Sequence, residues 1–266
     1  MSYPPQNMTD SPGHLPAFPA ELIQIIRSAD HILVLTGAGI SSESGIPTFR
    51  QAQTGLWARY RPEDLATPEA FHNNPQRVWE WYTWRRDLIK NAKPNPGHDA
   101  LVKMENRTPN FTLVTQNVDN LHRAAGSRKI IEFHGNIFRT KCSKENLIVE
   151  SWPDTGEVPP RCPRCSHFLR PDVVWFGEPI PEAVVSAAFS RIATCQVFFS
   201  IGTSGLVEPA ASLPRIARQH GSKVVEINLE PTPLTHLADF SLHGRSGKLL
   251  PELVNEVWPE IHPSSP

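Results

Sequence analysis

The apolar residues fall into short β-rich runs separated by stretches with helical spacing. "AELIQIIRSA" (20–29) repeats apolar positions every three to four residues and predicts the first helix. "HILVLTGAG" (31–39) is a β-rich run that ends in two glycines. Residues 68–92, "PEAFHNNPQRVWEWYTWRRDLIKNA", read as one or two helices in which Trp79, Tyr82 and Arg85 or Arg86 are spaced to share a face. "PNPGHDALVKME" (94–105) starts another helix after a proline-marked turn. "NFTLVTQNVDNLHRAAG" (110–126) predicts a strand ending at Thr115–Gln116, then a loop and a short helix. "IIEFHGNIFRTKC" (130–142) predicts strand, turn, strand. Strand "ATCQVFFSIGTSG" (193–205), helix "EPAASLPRIARQHG" (208–221) and strand "KVVEINLEPTPL" (223–234) follow.

This alternation implies an α/β fold with a Rossmann-like parallel sheet and a smaller loop-rich insertion. Four strands end in candidate ligand groups: Gly37–Gly39, Gln116–Asn117, Gly202–Ser204 and Asn228–Glu230. Ligands bind at the carboxyl ends of parallel strands, and the shared placement points to a nucleotide crevice. The expected organisation is a flexible lead-in over 1–18 and one domain over 19–266. That domain carries a helical insertion at about 58–95 and a cysteine-bearing insertion at about 139–172, with three of the four cysteines between Cys142 and Arg170.

The 266-residue composition is globular, with 39% hydrophobic and 20% charged residues, and a net charge of −1 gives no pull toward nucleic acid or an anionic membrane. No apolar run approaches the roughly 20 residues of a membrane span. The N-terminus has neither the basic region nor the apolar core of a secretory signal, so a cytoplasmic location is expected, an organelle remaining open; a monomer is the separate expectation. In such a chain four cysteines point to thiols or metal, and Cys195, inside an apolar strand, to inert core.

"TGAGISSESGIPTFR" (36–50) departs from a hydride-transfer glycine loop, which would continue as a helix toward an acidic residue about 20 positions on. Gly37, Ala38 and Gly39 would allow close backbone approach. Ser41 and Ser42 would offer hydroxyls and N–H groups to a phosphate. Thr48, Phe49 and Arg50 could fold over a cofactor, although Phe49 serves equally as core. In "TQNVDNLH" (115–122), Gln116, Asn117 and Asp119 suit a carboxamide or ribose hydroxyls, and Asn117 or Asp119 serves equally as a helix cap. His134 in "FHGNIF" is a candidate general base.

"GAGISSESGIPTFR", "TQNVDNLH", "HGNIF", "RPDVVWFGE", "GTS" and "NLE", in this order, resemble the sirtuins, NAD-dependent protein deacylases; the likeness runs from about Ala20 to Leu250. The resemblance implies that the glycine turn holds the NAD pyrophosphate and that "PTFR" belongs to a cofactor-binding loop. It makes His134 the base, with Asn117 beside it in the catalytic set, and gives Gln116, Asn117 and Asp119 to the ribose and carboxamide. Gly202, Thr203, Ser204, Asn228, Leu229 and Glu230 would hold the adenosine side, with Ser246 a further adenine contact. Val173 to Glu178 resembles the strand that pairs with the substrate peptide. Val174, Trp175 and Phe176 would line the acyl-lysine tunnel, Gly177 and Glu178 completing the segment, and binding would follow β-augmentation. The implied reaction displaces nicotinamide by the acyl oxygen and, through His134, delivers the acyl group to a ribose hydroxyl. Its products are free lysine, nicotinamide and O-acyl-ADP-ribose.

Tyr82 and Arg85 stand three apart, and a phenol beside a guanidinium would bind a carboxylate. An exposed Arg over an aromatic in an amphipathic helix is the simpler alternative. The pair also resembles the sirtuin subclass that removes succinyl, malonyl and glutaryl groups, with deacetylation weaker. NAD-dependent deacetylation, mono-ADP-ribosyl transfer and a non-catalytic NAD-sensing module are the other readings. Sirtuins usually hold zinc with two CxxC knuckles. "CPRC" supplies Cys162 and Cys165, but the first knuckle reads "CSKE", with Cys142 present and Glu145 in the other cysteine's place. A Cys3Glu site is chemically open to zinc, and His167 is another candidate ligand.

Overall fold

The computed structural model describes residues 18–47 and 60–259. Thr48, Phe49, Arg50 and residues 1–17 of the expected lead-in lie outside the described residues; Phe18 is buried against the core.

Six strands form one parallel sheet: β1 (His31–Thr36), β2 (Asn110–Thr115), β3 (Ile130–Glu132), β6 (Val197–Ile201), β7 (Lys223–Asn228) and β8 (Phe240–His243). Their order is β3-β2-β1-β6-β7-β8. β4 (Gly135–Cys142) and β5 (Leu169–Val173) pair separately and antiparallel, and the cysteine-bearing loops lie between them. Continuous burial along β1 and β6 is what a sheet covered on both faces requires. One face packs under α1 (Ala20–Ser28), α6 (Pro96–Arg107) and α10 (Ser246–Val257), with Leu22, Ile26, Leu101, Met104 and Leu253 in one cluster. The other packs under α8 (Glu182–Ile192) and α9 (Leu213–Gln219), through Ile192, Phe198, Leu213 and Ala217. The expected helix over 208–221 is a 3-10 turn at Ala210–Ser212 followed by α9.

Short helix α2 (Ala38–Ser42) and α3 (Pro62–Leu65) precede α4 (Pro68–Asn73) and α5 (Pro75–Lys90), and α7 (Leu121–Ala125) follows β2. Pro68, Pro75 and Pro96 are helix starters. Thr67, Asn74 and Asn95 accept a backbone N–H at the heads of α4, α5 and α6, each followed directly by a proline whose missing N–H is not needed there.

Register puts the ligand-bearing residues side by side. Thr36 is opposite Thr115 and Ile201, and Ile201 is opposite Ile227, so Gly37, Gln116, Gly202 and Asn228 all emerge at one edge. There the loops after β1 and β6 press together. Gly39 N–H donates to the Gly202 carbonyl at 2.9 Å, and a Cβ on Gly202 would lie 2.5 Å from Ile40 N. Gly202 also holds φ +60°, which disfavours a side chain. Gly202→Ala is expected to cost about 2–4 kcal/mol in urea denaturation, because a clash with backbone adds to the φ penalty. Gly156→Ala, at φ +72° with nothing within 4 Å, should cost only about 1 kcal/mol. Equal losses would show that the close approach is not what demands glycine.

Candidate active site

The glycine turn is shaped for protein rather than left open. Gly37 N–H donates to Ile201 O and Gly39 N–H to Gly202 O, so both glycine donors are consumed by the neighbouring loop. The serines expected to face a phosphate turn inward as well. Ser41 is buried and accepts from Asn117 Nδ2 at 3.1 Å, while Ser42 Oγ donates to Gly39 O at 2.7 Å. A helix this short cannot satisfy its own carbonyls, and the Ser42 hydroxyl takes up that of Gly39, whereas Ser41 bonds the side chains of Asn117 and Asp119.

Asn117 spends both amide protons, on Gly37 O at 3.0 Å and on Ser41, which fixes its Oδ1 as the outward acceptor. Asp119 is buried, and burial pushes its carboxyl above the usual range, offset by the Leu121 N–H, the Ser41 hydroxyl and Arg85. Beneath them runs a polar chain that sequence reading did not assign. Asn117 N–H donates to Thr115 Oγ1, Thr36 Oγ1 donates to Thr115, and His122 Nε2 lies 2.9 Å from Thr36 Oγ1. The His122 ring packs at 4.8 Å and a 55° tilt against His98, whose Nδ1 accepts from the Asn95 backbone. Burial lowers His98 to about 4 and His122 to about 3, so both rings are neutral near pH 7. The available signal was a threonine closing each apolar strand and a histidine at the head of α7.

His134 follows β3. Its Nδ1 lies 3.2 Å from the Gln116 carbonyl, which can only accept, so Nδ1 carries the proton and Nε2 is the basic atom. Burial holds the imidazole below its usual pKa, with the Gln116 bond opposing. Gln116 and Thr203 also border a cavity of about 250 Å³ walled by Leu35, Val207, Glu208 and Arg215. Asn228 Nδ2 donates to Thr203 O at 2.7 Å, tying the ends of β6 and β7, while Leu229 and Glu230 are exposed. Ser204 is half-buried. Ser246 opens α10, and its hydroxyl donates to Glu43.

The segment resembling a substrate-pairing strand leaves strand geometry at Val173. Val174 N–H donates to His134 O, Trp175 N–H to Glu178 Oε2 and Phe176 N–H to Ala66 O. These donors are taken, and the carbonyls of Val173 and Trp175 also accept, from Arg170 and from the Glu178 N–H. Trp175 is 3% exposed and Phe176 41% exposed. Gly177 carries φ +84° and turns the chain so that Glu178 folds back on Arg170. On α5, Tyr82 is buried and accepts from Trp175 Nε1 at 3.0 Å. Burial drives its phenol up to about 12, with Arg85 opposing. Arg85 is drawn down by burial and held up by Tyr82 and Asp119. Arg86 goes elsewhere, to Ile137 O at 2.6 Å and over the Trp79 ring.

In the cysteine insertion, Cys142, Glu145, Cys162 and Cys165 bring their ligand atoms within 4.8 Å of one another. Glu145 thus joins the three thiols. His167 instead places Nδ1 3.0 Å from Cys165 O. Three thiols and a carboxylate fit a four-coordinate zinc. Cys195 is buried near Ser222, apart from this set. Purified protein is expected to carry about one zinc per chain, lost in Cys142→Ser. In cobalt-substituted protein, Glu145→Cys should raise thiolate charge-transfer absorbance by about one third, from three thiolates to four. Unchanged absorbance would show that position 145 does not reach the metal.

Residues 37–209 match the model of the Sir2 family. A protein of Pyrobaculum aerophilum named NAD-dependent protein deacylase 2 is 50% identical over 233 residues, covering 88% of this chain and 93% of its own. A crystal structure of a Sir2 homologue in complex with NAD superposes with a TM-score of 0.84 at 45% identity, covering 92% of this chain and 96% of that one. A Sir2 complex with a p53 peptide and NAD superposes at 0.78 with 29% identity, covering 89% and 97%. With the glycine turn, the amide loop and His134 gathered at one sheet edge, the chain belongs to the Sir2 family.

Proposed function

We propose that this chain is an NAD-dependent protein deacylase whose preferred acyl-lysine substrates end in a carboxylate, such as succinyl-, malonyl- or glutaryl-lysine. The observation that carries the acyl preference is the Trp175–Tyr82 hydrogen bond. It seats the Tyr82–Arg85 face of α5 against the segment that would hold the substrate. A guanidinium beside a phenol kept protonated by burial offers a carboxylate charge-assisted hydrogen bonds from both.

NAD would be held by the loops ending β1, β2, β6 and β7, and it supplies a ribose carbon with nicotinamide as leaving group. Asn117 presents Oδ1 as a fixed acceptor, because its amide protons are spent on the protein. His134 takes the proton of a ribose hydroxyl at Nε2, while Nδ1–H stays on Gln116 O and fixes the tautomer. Trp175 and Tyr82, both buried, keep water from the acyl end.

His134→Ala should lower kcat by about 10²–10⁴-fold while calorimetry still detects NAD binding. In the parent enzyme kcat/KM should fall on acidification through a midpoint below the ordinary histidine value. The neutral imidazole is the active form, and burial keeps it neutral to lower pH. Arg85→Met should lower kcat/KM for a succinyl-lysine peptide by roughly 10- to 100-fold and shift preference toward the acetyl-lysine peptide. Equal loss on both peptides would remove the carboxylate pocket and leave the deacylase.

A further inference from the structure

The Tyr82 hydroxyl proton lies near the ring plane and can point to either side of the C–O bond, and only one choice serves a substrate carboxylate. An indole N–H donates and never accepts. At 3.0 Å, Trp175 Nε1–H therefore fills one acceptor position on the Tyr82 oxygen and excludes the phenolic proton from that side. Trp175 is itself fixed from three directions. Its backbone N–H donates to Glu178 Oε2, the Arg170 guanidinium lies 3.2 Å over its ring, and Phe71 packs at 5.2 Å between centroids. The neighbouring Val174 N–H donates to the carbonyl of His134 at 2.9 Å. Consecutive residues thus tie the backbone of the candidate base to the hydroxyl that would read the acyl group.

We propose that Trp175 is a positioning residue for acyl selectivity: its indole N–H occupies the acceptor side of the Tyr82 hydroxyl and turns the phenolic proton toward the carboxylate of a dicarboxylic acyl-lysine. This rests on the acyl preference proposed above. An acetyl group has no carboxylate to receive that proton, so the device separates succinyl from acetyl substrates without touching the reacting atoms.

The test is a double-mutant cycle read on the ratio of kcat/KM for succinyl-lysine over acetyl-lysine versions of one peptide. Trp175→Phe keeps a ring for Arg170 and Phe71 and removes the N–H. It should lower the ratio about 3- to 10-fold, chiefly through the KM of the succinyl peptide, the worth of one neutral hydrogen bond. In a Tyr82→Phe background the same substitution should move the ratio less than about twofold, since the group it acts through is gone. An equal shift in both backgrounds, or none in the parent, would overturn the inference, the former assigning Trp175 to packing. If Trp175→Phe does not fold, substituting benzothienylalanine for Trp175 removes the N–H within the same bicyclic outline, and the same outcomes apply. Arg85→Met is measured alongside. A ratio unmoved by it brings down the acyl reading itself, and with it the inference. A ratio lowered by Arg85→Met but not by loss of the indole N–H brings down the inference alone.

Discussion

The contact between the loops that leave β1 and β6 is the constraint on which the site depends. Parallel register delivers Gly37, Gln116, Gly202 and Asn228 to one edge, but four loops of ordinary bulk could not converge there. Gly39 and Gly202 remove the bulk. A Cβ on either would lie within 2.6 Å of the other loop's backbone, and the Gly39 N–H to Gly202 carbonyl bond replaces it. That fixes where α2 begins, and hence where Ser41 meets Asn117 and Asp119.

Beneath this junction lies buried polarity in which the threonines and Asn95 are paired, while His122 Nδ1 and His98 Nε2 have no hydrogen-bond partner among the described residues. Thr36 and Thr115 close adjacent strands and bond to each other. His122 continues the chain to His98, and Asn95 anchors it to Ile40 and Ser44. Burial keeps both imidazoles neutral, so the network brings no net charge beneath the ligand-bearing loops. Its effect is orientation. Asn117 leaves the sheet with its backbone N–H on Thr115 and its side chain already committed.

A second brace holds the segment that follows β5. Arg170 is 5% exposed at its side chain and meets Glu178 through two hydrogen bonds while also holding Val173 O. A buried pair like this contributes little net stability, but removing one partner is costly, and it sets the geometry of the turn it spans. The turn between β5 and α8 is therefore rigid where it carries Trp175, although it belongs to no strand.

The sequence by itself determined the sheet and its active edge. Strands buried on both faces of a parallel sheet are apolar over most of their length, so "HILVLT", "NFTLVT" and "VFFSI" announced the strands, and the small and polar residues that follow them announced the edge. The motifs around His134 and Asn117 were legible for the same reason. The C-terminal strand β8 and helices α8 and α10 escaped the reading. Only the tertiary structure decided what each polar group faces, because that depends on partners far along the chain. Ser41 and Ser42 turned inward, Glu178 folded onto Arg170, and Glu145, unlike His167, joined the three cysteines. Spacing places a side chain on a face. Which donor it meets there is settled by packing between elements, as when Tyr82 meets an indole 93 residues away.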